Sequence, residues 1–133
     1  MKTISVIAFF CSFFLVSHTA LCQKQDDVIK DVVQSIKTTD AKKLAGFFNS
    51  TIDLELEDID GSYSKTQAEI IIRDFFKKSP LKSFTLNHQG SSDDGSKYII
   101  GTYKTTGKEY RVYILLKPQN NKLLIHQLQF END

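Results

Sequence analysis

His88 and His126 are the two side chains of this sequence best placed to move a proton near neutral pH, because each keeps step with apolar neighbours at a spacing of two residues. Phe84 and Leu86 precede His88, while Leu124, Leu128 and Phe130 flank His126. Alternate residues of a strand share a face. Phe84, Leu86, His88, His126 and Leu128 therefore form a candidate pocket facing an apolar interior. A ring in that position acts as a general base when a substrate proton comes within hydrogen-bond reach. The plainer alternative is a ring hydrogen-bonded to backbone or water. Without a third ligand or an orienting carboxylate the pair makes no metal site, so no metal or cofactor is expected and no catalytic residue is assigned.

Arg111 and Tyr113 share a strand face with Leu115, opposite Tyr110, Val112, Ile114 and Leu116. A guanidinium beside a phenol can grip an anion through paired hydrogen bonds, and an arginine stem can equally snorkel across an outer sheet face. The carboxylates offer less. Asp53, Glu55 and Glu57 alternate with Ile52, Leu54 and Leu56, which puts them on the solvated side of a half-buried strand. No acid sits among the apolar positions of the last three strands.

The elements that must carry these groups are legible from periodicity. Asp26 to Lys37 sets Val28, Ile29, Val32, Val33 and Ile36 at helical spacing. Thr38-Thr39-Asp40 ends that helix and caps a second, short one whose apolar face is Leu44, Phe47 and Phe48. A strand from Ile52 to Glu57 follows, and Asp60-Gly61 reads as a turn. Ser64 and Gln67 form a capping box with Tyr63 and Ala68 in the staple positions. The third helix carries Ile71, Ile72, Phe75 and Phe76 and stops at Ser79-Pro80. From Leu81 the period is two, which gives strands around Phe84–His88, Tyr98–Thr105, Glu109–Lys117 and a last one ending near Phe130. The expected fold class is α+β: three N-terminal helices packed on a curved antiparallel sheet.

Residues 1–22 read as a secretory leader. Lys2 is the only charge before Lys24, Ile4 to Val16 is an apolar run, and Ala20 and Cys22 are small residues at peptidase positions. Residues 23–133 are then one exported domain, expected to be soluble, and the apolar run is too short for a comfortable membrane span. Both cysteines, Cys11 and Cys22, fall in the leader, so no disulfide or thiolate chemistry is expected beyond it. A lipid anchor on Cys22 is the alternative, weakened by Leu21 where a lipoprotein box has a small residue. Lys2 is one of 17 Lys and Arg set against 16 Asp and Glu, so its loss leaves a balanced domain with no electrostatic reason to bind nucleic acid or anionic lipid.

The order of elements resembles the cone-shaped α+β superfamily of nuclear transport factor 2 and the cystatins. Local strings resemble a secreted bacterial family of unknown function, number 4783: Gly61–Glu69, Asp74–Phe76, Phe84–Ser91, Tyr110–Lys117 and Leu124–Leu128. The resemblance covers nearly all of residues 23–133. It implies a cone fold and no particular activity, since such folds host isomerases, dehydratases and pure binding modules. The catalytic use implied by that superfamily needs a carboxylate base in an apolar pocket and a phenol or protonated acid at the oxyanion, and no residue here takes those roles.

The leading functional expectation is an exported, non-enzymatic domain that binds a small apolar molecule or a protein partner through its cone pocket or sheet face. Two alternatives stand beside it. One is a small isomerase- or dehydratase-type enzyme using His88 or His126 as base, and the other is a homodimeric association module, which an exposed apolar sheet face would favour.

Overall fold

The structure, a computed structural model, describes residues 19–133. The expected leader lies outside the described residues as far as residue 18. The first helix, α1 (Thr19–Lys37), begins earlier than the periodicity predicts and turns Ile29, Val32, Val33 and Ile36 into the core. α2 (Ala41–Ala45) is capped by Asp40, whose carboxylate accepts the Lys43 N–H at 2.9 Å. Phe47 and Phe48 do not continue it. The Phe47 carbonyl accepts the Ile125 N–H at 2.7 Å, and Phe48 opens β1 (Phe48–Leu56). A pairing partner on a distant strand overrides the local helical spacing there.

The chain then turns at Glu57 and Asp58 into β2 (Ile59–Ser64). The Asp60-Gly61 turn is thus corrected: both residues are paired within a strand, Asp60 opposite Glu55 and Gly61 opposite Leu54. A side-chain carbon built on Gly61 would lie 3.6 Å from the Tyr63 ring, an ordinary contact, so the space at this strand position does not itself require glycine. α3 (Lys65–Lys78) follows with the Ser64–Gln67 capping box formed as expected, and buries Ala68, Ile72 and Phe76. Four strands complete the chain: β3 (Ser83–Ser91), β4 (Lys97–Lys104), β5 (Glu109–Gln119) and β6 (Lys122–Asn132). The fold is α+β with a curved, unclosed sheet, but its helices are not three N-terminal ones in a row. The β1–β2 hairpin separates α3 from the first two.

The sheet runs β2-β1-β6-β5-β4-β3, antiparallel throughout except for the β1–β6 pair. Its inner face carries Ile52, Leu54, Ile99, Tyr103, Val112, Ile114, Leu116, Ile125, Leu128 and Phe130, all buried in one core with the helices. The register shifts in three places: between Phe48 and Asp53 where β1 pairs with β6, and at one bulge each in β3 and β6. Between β3 and β4 the register passes from Leu86 opposite Gly101 to His88 opposite Ile100, which leaves Asn87 as an extra residue. Between β6 and β5 it passes from Ile125 opposite Leu116 to Gln127 opposite Leu115, which leaves His126 as the extra one. Each insertion reverses which face the following residues present.

Phe130→Ala removes a ring that is only 2% exposed and is expected to cost about 3–5 kcal/mol. Ser64→Ala removes only the cap and is expected to cost about 1 kcal/mol. Equilibrium denaturation of both variants measures the ranking, and the reverse order would mean that the core is not centred on this face.

Candidate functional site

The interior of the cone is filled by aromatic rings. Phe75, near the end of α3, sets its ring centroid 4.6 Å from Phe130, 5.4 Å from Tyr110 and 5.6 Å from Tyr103, while Phe76 stacks on Tyr103 at 6.1 Å. The Tyr103 hydroxyl donates to the Ser79 carbonyl at 2.7 Å. Burial pushes that phenol up to about 12, so it stays protonated through the neutral range and ties the end of α3 to the sheet.

Tyr110 reaches the rim, where its hydroxyl donates to Glu57 Oε1 at 3.2 Å beside Lys108 Nζ, which donates to the same oxygen at 2.5 Å. The lysine's hydrogen bond holds the Glu57 carboxyl below the usual range, and the carboxylate in turn raises Lys108. An exposed carboxylate kept ionised in this way is a poor proton donor and a weakened base. Two open clefts border the trio. One, of about 410 Å³, lies between the end of α3 and the β4–β5 turn, against Lys78, Thr105 and Lys108. The other, of about 220 Å³, lies between α3 and the β1–β2 turn and is lined by Leu56, Ile59, Ile71 and Phe75.

The five residues of the expected interior pocket do not come together. Phe84 is buried on the inner face, its ring filling the space above Gly101, where a side-chain carbon would meet it at 2.5 Å. Leu128 is buried opposite Ile114, two strands away from β4 and three from β3. Leu86 is 36% exposed at the sheet edge. Both histidines are on the opposite, outer face, which no helix among the described residues covers: His88 is in register with Ile100 and Tyr113, and His126 lies at its bulge beside Gln127. The inward reading of the two rings is corrected by the extra residue in each strand, which simple alternation does not reveal.

His88 Nε2 sits 2.9 Å from the Tyr98 hydroxyl. His126 keeps Nε2 buried without a hydrogen-bond partner among the described residues. Its pKa is lowered by burial first and by the Lys117 charge second, against an opposing pull from Asp53. Arg111 and Tyr113 do share the outer face with Leu115, and Arg111 forms no ion pair among the described residues. Among the same residues no cluster of three or more His, Cys, Asp or Glu is placed to hold a metal ion. No helix there is long and apolar enough to cross a membrane.

Sequence alternation missed an apolar centre on this outer face. Tyr98 is opposite Leu115 and Ile100 opposite Tyr113, four half-buried side chains in two neighbouring cross-strand pairs. Around them stand His88, Thr102, Gln127 and Gln129, and Gln129 Nε2 donates to Glu55 at 2.7 Å. The readable signal was the loss of alternation: Val112-Tyr-Ile-Leu-Leu116 and Tyr98-Ile-Ile100 are apolar on both faces, the pattern of strands covered on both sides.

The model of a domain of unknown function, DUF4783, matches residues 29–131. A DUF4783 family protein from Bacteroides uniformis is 27% identical, with 80% of this chain and 97% of that one covered and a TM-score of 0.75. Its counterpart from Bacteroides ovatus is 29% identical, with 77% and 93% covered and a TM-score of 0.73. An NTF2-like protein of unknown function from Shewanella baltica, at 12% identity, shares the fold with a TM-score of 0.61 over 90% of this chain and 98% of that one. No curated protein matches the chain.

His126 generates a pH dependence. Its folded pKa lies below the ordinary 6.5, so in the window beneath 6.5 the unfolded chain binds more protons than the folded one. Its contribution is therefore full above that window and lost as the pH falls through it. The melting temperature is expected to fall on acidification from about pH 8 to about pH 5, and to fall less steeply in His126→Gln. Equal slopes in the parent and the variant would remove His126 as the cause.

Proposed function

The chain belongs to the DUF4783 family of NTF2-like fold, and we propose that it works after export as a non-catalytic module that binds a protein partner through the outer face of its sheet. The observation that carries this reading is the apolar centre Tyr98, Ile100, Tyr113 and Leu115 on a face that no helix among the described residues covers. Its arrangement suits protein recognition: tyrosines and aliphatic side chains at the centre, with histidine, glutamine, threonine and arginine around them. Two phenols bring apolar area with a polar end and little conformational entropy to lose. A second copy of the chain is one such partner. The enzyme alternative draws no support from His88 or His126, since each ring lies on the open face and neither is hydrogen-bonded to an acid.

A second reading rests on the cleft lined by Leu56, Ile59, Ile71 and Phe75, which suits a small apolar molecule at the cone mouth. The two are separable. A photo-crosslinking amino acid at Tyr113 is expected to give a protein adduct in cells, which the same residue at Lys42 on α2 does not give, and Leu115→Asp is expected to weaken the association at least about tenfold while leaving the melting temperature nearly unchanged. Adduct formation indifferent to Leu115→Asp would overturn the outer-face reading. Ligand stabilisation abolished by Ile71→Asp would favour the cleft instead.

Export carries its own expectation. The leader pattern places processing after Cys22, and Leu21 disfavours a lipoprotein box. Intact mass of the exported protein is expected to correspond to a chain starting at Gln23 without lipid, and added diacylglyceryl mass would mean a chain anchored through Cys22.

A further inference from the structure

The outer face is graded from one side to the other. Two neighbouring rows cross it in register: Tyr98, Leu115, Gln127 and Asp53 form one, and Ile100, Tyr113, Gln129 and Glu55 the other. Each runs from apolar side chains on β4 and β5, through an amide on β6, to a carboxylate on β1. Asp60 of β2 extends the second row, directly opposite Glu55. Like charges opposite one another disfavour the pairing of two strands, and a cation above both relieves it. The chain supplies no such cation. Asp53 accepts the Ser62 hydroxyl and Glu55 the Gln129 amide, both neutral donors. No ion pair among the described residues reaches any of the three carboxylates, and neither β1 nor β2 contains a lysine or arginine. The cations on outward positions of β4, β5 and β6 stand elsewhere. Lys104 is paired with Glu109 at 3.2 Å, Arg111 has Glu131 opposite it, and Lys117 and Lys122 lie beyond the first row, toward the β5–β6 turn.

We propose that the partner of this face is a basic protein segment, which lays apolar side chains over β4 and β5 and lysines or arginines over Asp53, Glu55 and Asp60. This rests on the outer-face reading and names the chemistry of the partner. The distances suit a single contact. Strand spacing of about 4.8 Å puts the carboxylates roughly 10–14 Å from β5, inside the footprint of about 800 Å² that a stable interface covers on each partner. The apolar centre then supplies the buried part of the contact, while the acidic margin stays wet, steers the basic segment and fixes which way round it docks. A second copy of the chain lacks the complement. Stacked face to face about a two-fold axis across the strands, it sets the three carboxylates over their own like. About an axis along the strands it sets them over the β3 margin, which has no lysine or arginine.

The probe is a photo-crosslinking amino acid at Ser62, an exposed position opposite Asp53, with the same amino acid at Tyr113 as its companion in the apolar centre. Both positions are expected to give an adduct with one and the same protein in cells, and the segment joined to position 62 is expected to be positively charged and rich in lysine or arginine. Asp53→Asn, Glu55→Gln and Asp60→Asn together are expected to lower the Tyr113 adduct about tenfold, while the melting temperature holds or rises because the like-charge pair is gone. Asp60→Asn alone is expected to give a smaller loss in the same direction, and it carries the test if the triple variant fails to fold. A Tyr113 adduct unchanged by these substitutions yet lost with Leu115→Asp overturns the basic partner and leaves the outer-face reading standing. An adduct at Tyr113 without one at Ser62, a neutral or acidic segment joined to position 62, or an adduct with a second copy of the chain overturns it in the same way. No adduct at either position overturns both.

Discussion

Five aromatic rings hold the curved sheet against its helices, and the remaining geometry depends on that contact. Phe75 and Phe76 are consecutive, yet both touch the sheet, because the end of α3 lies across β4, β5 and β6 where Tyr103, Tyr110 and Phe130 converge. Pairs of this type add about 0.5–1.5 kcal/mol each beyond the area they bury. The Tyr103 hydroxyl also takes up the Ser79 carbonyl, which lies past the last turn of α3 and precedes Pro80, a residue with no N–H to offer. Packing and hydrogen bonding thus fix the same point. The consequence for function is spatial: the region that in an open cone would hold a ligand is occupied by the protein's own side chains.

How much of this could be read from the residues depended on whether a local pattern had one physical meaning or two. The Ser64–Gln67 capping box, the stop of α3 before Pro80 and the four long C-terminal strands each had one, and the structure contains them all. Asp60-Gly61 had two. The pair is at home in a turn, but it can also sit in a strand, and pairing with Glu55 and Leu54 of β1 holds it in one. Phe47 and Phe48 fitted a helical face locally while their strand partner, Ile125, lay far along the chain. His88 and His126 show the sharpest case. Period-two alternation points both inward, and one inserted residue in each strand turns both outward, because a bulge moves side chains by a whole face. No composition rule marks Asn87 or His126 as the extra residue, so the candidate pocket was not legible. The shared outward face of Arg111, Tyr113 and Leu115 was legible, because no bulge interrupts β5 between Glu109 and Leu115.

At the rim, electrostatics and packing point to the same conclusion about chemistry. Tyr110 is a core residue whose hydroxyl emerges at the surface, and Glu57 accepts from it and from Lys108 at one oxygen. A proton-transfer site of the isomerase type requires the opposite preparation: a carboxylate kept away from cations, in apolar surroundings that raise its pKa, with a phenol free to donate to substrate. Here the cation is in contact, the carboxyl is lowered and the phenol already donates to the protein itself. The trio closes the rim between the β1–β2 turn and the β4–β5 turn, which are far apart in sequence. As an exposed ion pair it contributes little to stability by itself, so its role is to set the shape of the cone mouth.

The two faces of the sheet answer different demands, and the division explains why β4 and β5 depart from alternation. Inner-face residues of β5, Tyr110, Val112, Ile114 and Leu116, satisfy folding, since each is buried against helices or neighbouring strands. Tyr113 and Leu115 on the other face add nothing to that core, yet they and their partners Ile100 and Tyr98 are as apolar as core residues. A sheet face that met only water would tolerate threonine, lysine or glutamate there at little cost, as the outward positions Asp53 and Glu55 of β1 show. An apolar centre and a polar margin thus share one face that no helix among the described residues covers, the arrangement on which the proposed function rests. The bulges extend this logic, because they bring His88 and His126 to the margin of that face instead of to the core.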